Sequence, residues 1–344
     1  MVGSPDAAPV TVRDVAARAG VSPMTVSRTL AGGTNVRPEM QELVWKAVAE
    51  LGYRRNENAR SLRRQTSGLI GVAITNLGNP YYGEFAIGVE EVAARYGRRI
   101  LLGNTGEDTE RERQLVADFL GRQVEGLIVV PAGGGEGESA HLRREALAGT
   151  PLVLASRLVP DVDARAVVLD DDGGAWSGTR RLIDAGHTRI AYLGNLSSVF
   201  TGQRRFDGYS RAMAESGLVV DPALVKREQQ DVATARDAMT AMLALPDPPT
   251  AVFAANNRNA IGAMTAIAEH LAAGGAQRPS IVGFDGFDLA ELSPVPLTLV
   301  EHDARTLGKR AAEMLFDEQR GDDEAGPRIE TMPVRVHVIR DESR

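Results

Sequence analysis

The stretch VSPMTVSRTL, Val21 to Leu30, gathers an unusual mixture of side chains. Ser22 suits a helix N-cap and Pro23 the first helical position. Val26 and Leu30 are four residues apart and share one helix face. Pro23, Met24, Ser27 and Arg28 fall on the other side: a donorless ring, an apolar thioether, a hydroxyl and a guanidinium. Such a set can make contacts but cannot break bonds. It marks either an ordinary cap-and-turn segment or a surface made to touch something.

Residue types for catalysis are poorly placed. There are no cysteines, which removes thiolate nucleophiles, disulfides and Cys-based zinc sites. The five histidines are scattered, with no HExxH pattern. SVFTG is no nucleophile elbow, and no GxGxxG opens a helix after a strand. The glycine-rich AGGGEGE, residues 132–138, lacks the Lys-Ser/Thr of a P-loop and reads as a flexible surface loop. Asp170, Asp171 and Asp172 form a carboxylate run that a strand-to-helix turn explains, since acids are favoured at helix starts. Trp176 is expected to pack its helix on a sheet. No catalytic residue, metal ligand set or cofactor is expected, and the chain is read as non-enzymatic.

The 344 residues are 43% apolar and 25% charged, ordinary for a globular chain of two or three domains. The net charge of −7 is unevenly spread. Residues 1–66 carry 10 Lys and Arg against 6 Asp and Glu, a net of +4, and the rest carries −11. The beginning, MVGSPDAAPV, has no apolar core of signal-peptide length, so a cytoplasmic location is expected.

The basic head reads as three helices. The first is capped by Thr11 with Asp14 three residues on and stops at Gly20. The second runs from Pro23 to about Leu30. The third starts near Pro38 and ends before Gly52, with Met40, Leu43, Val44, Ala47, Val48 and Leu51 as its buried stripe. NENARSLRRQ, residues 56–65, is too short to be a stable isolated helix.

From Gly68 the pattern changes. GLIGVAI, RRILLGN, EGLIVVPA, PLVLAS, AVVLD, RIAYLGN, TAVFAAN and SIVGFD are continuously apolar, as parallel strands covered on both faces should be. Helical stretches such as FAIGVEEVAARYG and GAWSGTRRLIDAG separate them, giving βαβ order. The units are too many for one sheet, so two α/β subdomains are expected. LTLVEH and VRVHVIR read as late returning strands.

Two short helices around a glycine-containing turn form a helix-turn-helix pattern. At this point the chain resembles the lactose-repressor (LacI/GalR) family of transcription regulators. The resemblance runs through VTVRDVAARAGVSPMTVSRTLAGG and PEMQELVWKAVAELGYRRNENARSL. It continues through NPYYGEF, LIDAGHTRIAYLG, RRFDGY and PTAVFAANN to LTLVEHDARTLGKRAAEML. It implies an all-α helix-turn-helix DNA-binding head (1–54), a hinge helix or linker (55–66), and a core spanning 67–344. That core would be an α/β, two-subdomain, periplasmic-binding-protein-like body with parallel sheets. Its first subdomain would take about 67–167 and 298–330, its second about 168–297 and 331–344.

The resemblance also implies partners and site residues. The second helix would enter the major groove of near-palindromic operator DNA, with Pro23 and Met24 setting preference and Arg28 and Ser27 supplying polar contacts. Thr11, Ser22, Thr25, Asn35 and Tyr53 would position the head, chiefly on phosphates. In the hinge, Asn56, Ala59 and Leu62 would meet DNA, Leu62 as a minor-groove wedge. Arg55 departs from the family's usual proline. The core would hold a small effector, most naturally a sugar or sugar derivative, in a cleft between subdomains. Its candidate contacts are Tyr81, Tyr82, Arg157, Thr201, Arg205, Asn257 and Asp285, most of them at carboxyl ends of strands. Asn257 stands where the family usually has aspartate. A homodimer is implied, with no membrane partner. The rival reading, a transporter-feeding solute-binding protein, accounts for the core but not for the head.

Overall fold

The computed structural model describes residues 10–30, 36–53, 67–144, 146–319 and 328–341. The chain divides into two compact units, Met1–Gln65 and Thr66–Arg344. Among the described residues no helix is long and apolar enough to cross a membrane.

The first unit holds α1 (Val12–Ala19), α2 (Pro23–Leu30) and α3 (Pro38–Leu51). Their limits follow from local chemistry. The Thr11 hydroxyl accepts from the Asp14 amide while the Asp14 carboxylate takes the Thr11 amide at 2.8 Å, a complete capping box. Gly20, at φ +68°, ends α1 in the left-handed region that costs glycine nothing. Ser22 Oγ accepts from the Thr25 amide at 3.1 Å and so caps α2. Val15, Ala16, Ala19, Val26, Val44 and Ala47 form the core, ringed by Leu30, Val48, Leu51 and Tyr53. One expected stripe member fails: Leu43 is 46% exposed. At roughly 100° per residue it lies at the edge of the stripe, about 40° from Ala47 and about 100° from Val44.

The second unit contains two six-stranded sheets, each with its own helices. In chain order its elements are β1 (Leu69–Ile74), α4 (Pro80–Arg95), β2 (Arg99–Asn104), α5 (Thr109–Gly121), β3 (Gly126–Val129), β4 (Leu152–Ala155) and β5 (Arg165–Leu169). Then follow α6 (Asp171–Asp184), β6 (Ile190–Leu193), α7 (Phe200–Glu215), β7 (Val225–Lys226), α8 (Val232–Leu243), β8 (Ala251–Ala254) and α9 (Asn257–Ala272). The last are β9 (Ser280–Phe284), β10 (Leu297–Glu301), α10 (Ala304–Gln319), β11 (Ile329–Met332) and β12 (Arg335–Arg340).

The first sheet has the order β11-β5-β4-β3-β1-β2, all parallel. The second has β12-β10-β9-β8-β6-β7, parallel except for β12, which runs antiparallel to β10. Every apolar run singled out in the sequence is a strand of one sheet or the other. β7 and β11 carry no such run and were not anticipated. β11 is an edge strand, IETM, with two exposed residues.

The chain passes between these lobes three times: at Asp170, at His302–Asp303 and at Pro333–Val334. The sequence placed residues 298–330 in the first subdomain, and the structure corrects this. β10 pairs with β9 and β12 in the second sheet, and only α10 and β11 belong with the first. LTLV is as apolar as any other strand, so its composition does not say which sheet it completes.

Helices α4 and α10 meet backbone to backbone. A Cβ at Gly88 would lie 2.1 Å from the Arg305 carbonyl oxygen, and one at Gly308 would lie 2.1 Å from that of Phe85. The two glycines thus make one reciprocal crossing, and any side chain there forces the helices apart. Gly88→Ala and Gly308→Ala should each lower stability by roughly 1–3 kcal/mol or more. The pair should be non-additive because it perturbs one crossing. Gly83→Ala, on the same helix with open space around it, should be neutral or stabilising. Urea denaturation of the three single variants and of Gly88→Ala/Gly308→Ala checks this.

Candidate nucleic-acid interface and effector cleft

On α2 the buried side is Val26 and Thr29, with Leu30 half-buried. Pro23, Met24 and Arg28 are exposed, Met24 by 63%. Ser27 and Thr25 are half-buried. Arg28 has no ion pair with another described residue. Ser22 and Thr25 share a hydroxyl hydrogen bond of 2.9 Å. Thr11 is tied to Asp14, whose carboxyl is held below its ordinary range by the Thr11 hydroxyl and amide. The predicted positioning residues therefore fix the helix starts themselves. Tyr53 is half-buried against the head core. Asn35, Asn56, Ala59 and Leu62 lie outside the described residues, as does Arg55.

In the second unit a cleft of about 330 Å3 opens between the lobes. Six of the seven predicted residues line it: Tyr81, Tyr82, Arg157, Thr201, Arg205 and Asp285. Asn257 does not. Its neighbours Asn256 and Arg258 face the cleft, while Asn257 is 3% exposed and bonded to Asn79. Asn256 is the extended N-cap of α9 and Asn257 its first helical residue, so one step along the chain swings the side chain off the cleft wall.

Both buried arginines are neutralised by the protein. Arg157 follows β4 and donates to Glu107 through two nitrogens, at 2.6 and 2.9 Å, and to the Pro131 carbonyl at 2.8 Å. Burial opposes its charge, but the Glu107 carboxylate more than offsets this and the guanidinium stays ionised. Arg205, on α7, donates to Asp171 at 2.7 Å, to the Ala255 carbonyl at 2.6 Å and to Asp285 at 3.4 Å. Its guanidinium carbon lies 3.7 Å from the Phe284 ring centroid, a cation–π contact. Desolvation would again lower its pKa, but Asp285 and Asp171 raise it instead.

The two carboxylates respond differently. Burial lifts the Asp171 carboxyl above its ordinary value, and Arg205 offsets this only in part. Burial also acts on Asp285, but Arg205 and His302 together hold it below. His302 sits on the second crossing, with its side chain buried and Nε2 3.3 Å from Asp285 Oδ1. The Tyr81 ring meets the His302 ring edge-on at 5.2 Å, and its hydroxyl pairs with Ser156 Oγ at 3.3 Å. Burial, and then the Asp285 charge, push the Tyr81 phenol well above its usual range, so it stays protonated.

Three lining residues hold left-handed backbone without being glycine: Glu107 at φ +62°, Ser156 at +64° and Asp285 at +67°. Such strain persists where surrounding bonds over-determine it, and it gathers at functional sites. Each of the three side chains is fixed by a partner already named. Sequence reasoning missed Glu107, Ser156 and His302 because nothing local marks them. It took the Asp170–Asp172 run as helix-start acids, and the run divides. Asp170 caps α6 through the Gly173 amide and Asp172 pairs with Arg211, but Asp171 turns inward to Arg205. Trp176 packs α6 against α7 rather than on the sheet, donating to Glu215 at 2.7 Å.

Comparison with known proteins accords with this division. Residues 11–56 match the family model for bacterial regulatory proteins, lacI family, and residues 179–341 match that for a periplasmic binding protein-like domain. The chain is 33% identical over 307 residues to the HTH-type transcriptional regulator GalR of Escherichia coli (strain K12), covering 88% of each chain. It is 31% identical to catabolite control protein A of Priestia megaterium, covering 89% of this chain and 91% of the relative. Among solved structures it is similar to the Lac repressor dimer bound to operator and the anti-inducer ONPF. That match has a TM-score of 0.81 and 26% identity, over 96% of this chain and 98% of the other. Another similar structure is the CelR–cellobiose complex, with a TM-score of 0.69 and 27% identity over 97% and 100% of the chains. With a helix-turn-helix head, a two-lobed core and relatives matched along almost its whole length, the chain belongs to the lacI family of bacterial regulatory proteins and is a transcriptional regulator with an effector-binding core.

Proposed function

We propose that the protein is a cytoplasmic, homodimeric repressor that reads a near-palindromic operator and answers to a sugar or sugar derivative bound between its lobes. The observation that carries the DNA reading is the exposed Pro23, Met24 and Arg28 face of a helix fixed at its start by Ser22. Arg28 is the donor for guanine O6 and N7, Met24 meets a thymine methyl, and Pro23 offers shape alone. Thr11, Thr25, Asn35 and Tyr53 serve phosphates, and Ser27 a base or phosphate. Asn56, Ala59 and Leu62 form the hinge, with Leu62 as the wedge.

The cleft supports an uncharged polyhydroxylated effector. Its two buried guanidiniums already have carboxylate partners and Arg258 is offset by the Asp231 charge, while amides, hydroxyls and tyrosine faces remain on the wall. The reading contains no catalytic step. A dimer is supported by Leu289 and Leu292, 67% and 72% exposed on the turn beside β12. Symmetry in the protein then mirrors symmetry in the DNA.

Arg28→Ala should weaken operator binding by about 1–3 kcal/mol, roughly tenfold or more, and relax preference at one base pair per half-site. Fluorescence anisotropy over a salt series checks this, and a salt-insensitive wild-type complex would contradict phosphate-driven binding. If no palindromic promoter fragment binds while the core binds sugar, the solute-binding reading takes its place. Leu292→Glu should turn the dimer to monomer in sedimentation and lower operator affinity with it. Arg205→Met leaves Asp171 buried without a counter-charge and Asp285 with His302 alone, and should cost about 3–5 kcal/mol at pH 7. Without the guanidinium the Asp171 carboxyl, already raised by burial, titrates further above its unfolded value, and Asp285 loses the larger of its two supports. The deficit should therefore shrink as pH falls from 7 towards 5 and the two groups take up protons. Thermal denaturation across that range reads it.

A further inference from the structure

Besides the three covalent crossings and the Tyr81–His302 ring contact, an amide pair and a glycine contact join the lobes at the cleft. The first is a reciprocal amide pair. Asn79 Nδ2 donates to Asn257 Oδ1 at 3.2 Å, and Asn257 Nδ2 donates back to Asn79 Oδ1 at 2.9 Å. The residues are 178 apart in sequence. Asn79 belongs to the first lobe, where its Oδ1 also accepts the Tyr81 amide and caps α4. Asn257 opens α9 in the second lobe. A carboxamide both donates and accepts, so two of them close a self-complementary pair with no net charge to desolvate. Each is locked to the cleft wall: Tyr81 lies two residues after Asn79, and Asn256 and Arg258 flank Asn257.

The second contact is steric. The glycine-rich segment that reads as a flexible loop is tied down by Glu138, which accepts the Gly134 and Gly135 amides at 3.1 and 2.9 Å. Gly134 then lies directly against the second lobe. A Cβ there would fall 2.0 Å from the Ser198 carbonyl oxygen. The absence of a side chain is what lets the lobes meet at that point.

We propose that Asn79 and Asn257 form a latch that holds the two lobes closed over the cleft, with the bare backbone of Gly134 permitting the same closure. In this role Asn257 acts as a positioning residue, through Asn79. The latch sets the ratio of closed to open protein before any effector arrives, and apparent effector affinity scales with the fraction of the competent state. This goes beyond the regulatory reading and holds whatever the effector's chemistry.

The chain has no native cysteine, so Ala117→Cys on α5 and Thr240→Cys on α8, both exposed, accept a pair of spin labels in each protomer, and mixing with excess unlabelled protein suppresses distances between protomers. Pulsed electron resonance on the full-length labelled protein without effector then reads the interlobe distance. Loss of two net hydrogen bonds in Asn257→Ala should move the closed-to-open ratio roughly tenfold towards open. Gly134→Ala should shift it the same way. Asn79→Asp keeps the helix cap but loses one donor, so its shift should be smaller. In Asn79→Asp/Asn257→Asp two carboxylates face each other. The long distance should dominate at pH 7 and shorten as pH falls through the carboxylate range, where the pair can share a proton. An unchanged distance distribution in this double variant at pH 7, with wild-type circular dichroism, overturns the latch. So does an unchanged distribution in folded Asn257→Ala.

Discussion

The ion cluster around Arg205 is the constraint on which the effector core turns. A guanidinium buried between Asp171 and Asp285, against the Phe284 ring and the Ala255 carbonyl, joins α6, α7 and the ends of β8 and β9. Through Asp285 it reaches His302 on the second crossing, and His302 meets Tyr81 of the other lobe. A buried pair of this kind contributes little net stability once its desolvation is counted. Its value here is geometric: charge fixes where the strand ends, the crossing and the tyrosine stand relative to one another. Asp285 keeps its left-handed backbone because both carboxylate oxygens are held.

Much of this was legible in the sequence, for physical reasons that can be named. A parallel strand covered on both faces must be apolar throughout, so LIGVAI, AVFA and SIVGF announce themselves. Ligands gather at the carboxyl ends of such strands, so an arginine after PLVLAS or an aspartate after SIVGF is conspicuous. Helix starts are equally local: Thr11 with Asp14, and Ser22 before Pro23, are readable because the bonds they make span three residues.

What was not legible depends on distant partners. Glu107 is one acid among several in TGEDTE until Arg157, fifty residues on, selects it. Asp171 is hidden in a run that local rules explain equally well as caps. Asn257 turns from the cleft wall to Asn79, 178 residues away, a partner that no local pattern announces. Leu43 failed because a three-helix head has room for only one narrow stripe. The lobe to which β10 belongs is a matter of topology, and composition carries no record of it.

The threefold passage between lobes has a consequence during synthesis. The edge of β5 is covered by β11, which ends at Met332 of a 344-residue chain. The helix packed over β3, β4 and β5 is α10, residues Ala304–Gln319. While the ribosome is making α6 to β10 of the second lobe, the first therefore waits with an unpaired strand edge and an uncovered apolar face. Such surfaces invite pairing with other chains. The lobes consequently cannot mature one after the other in order of translation. Their completion is deferred until α10, β11 and β12 have been made.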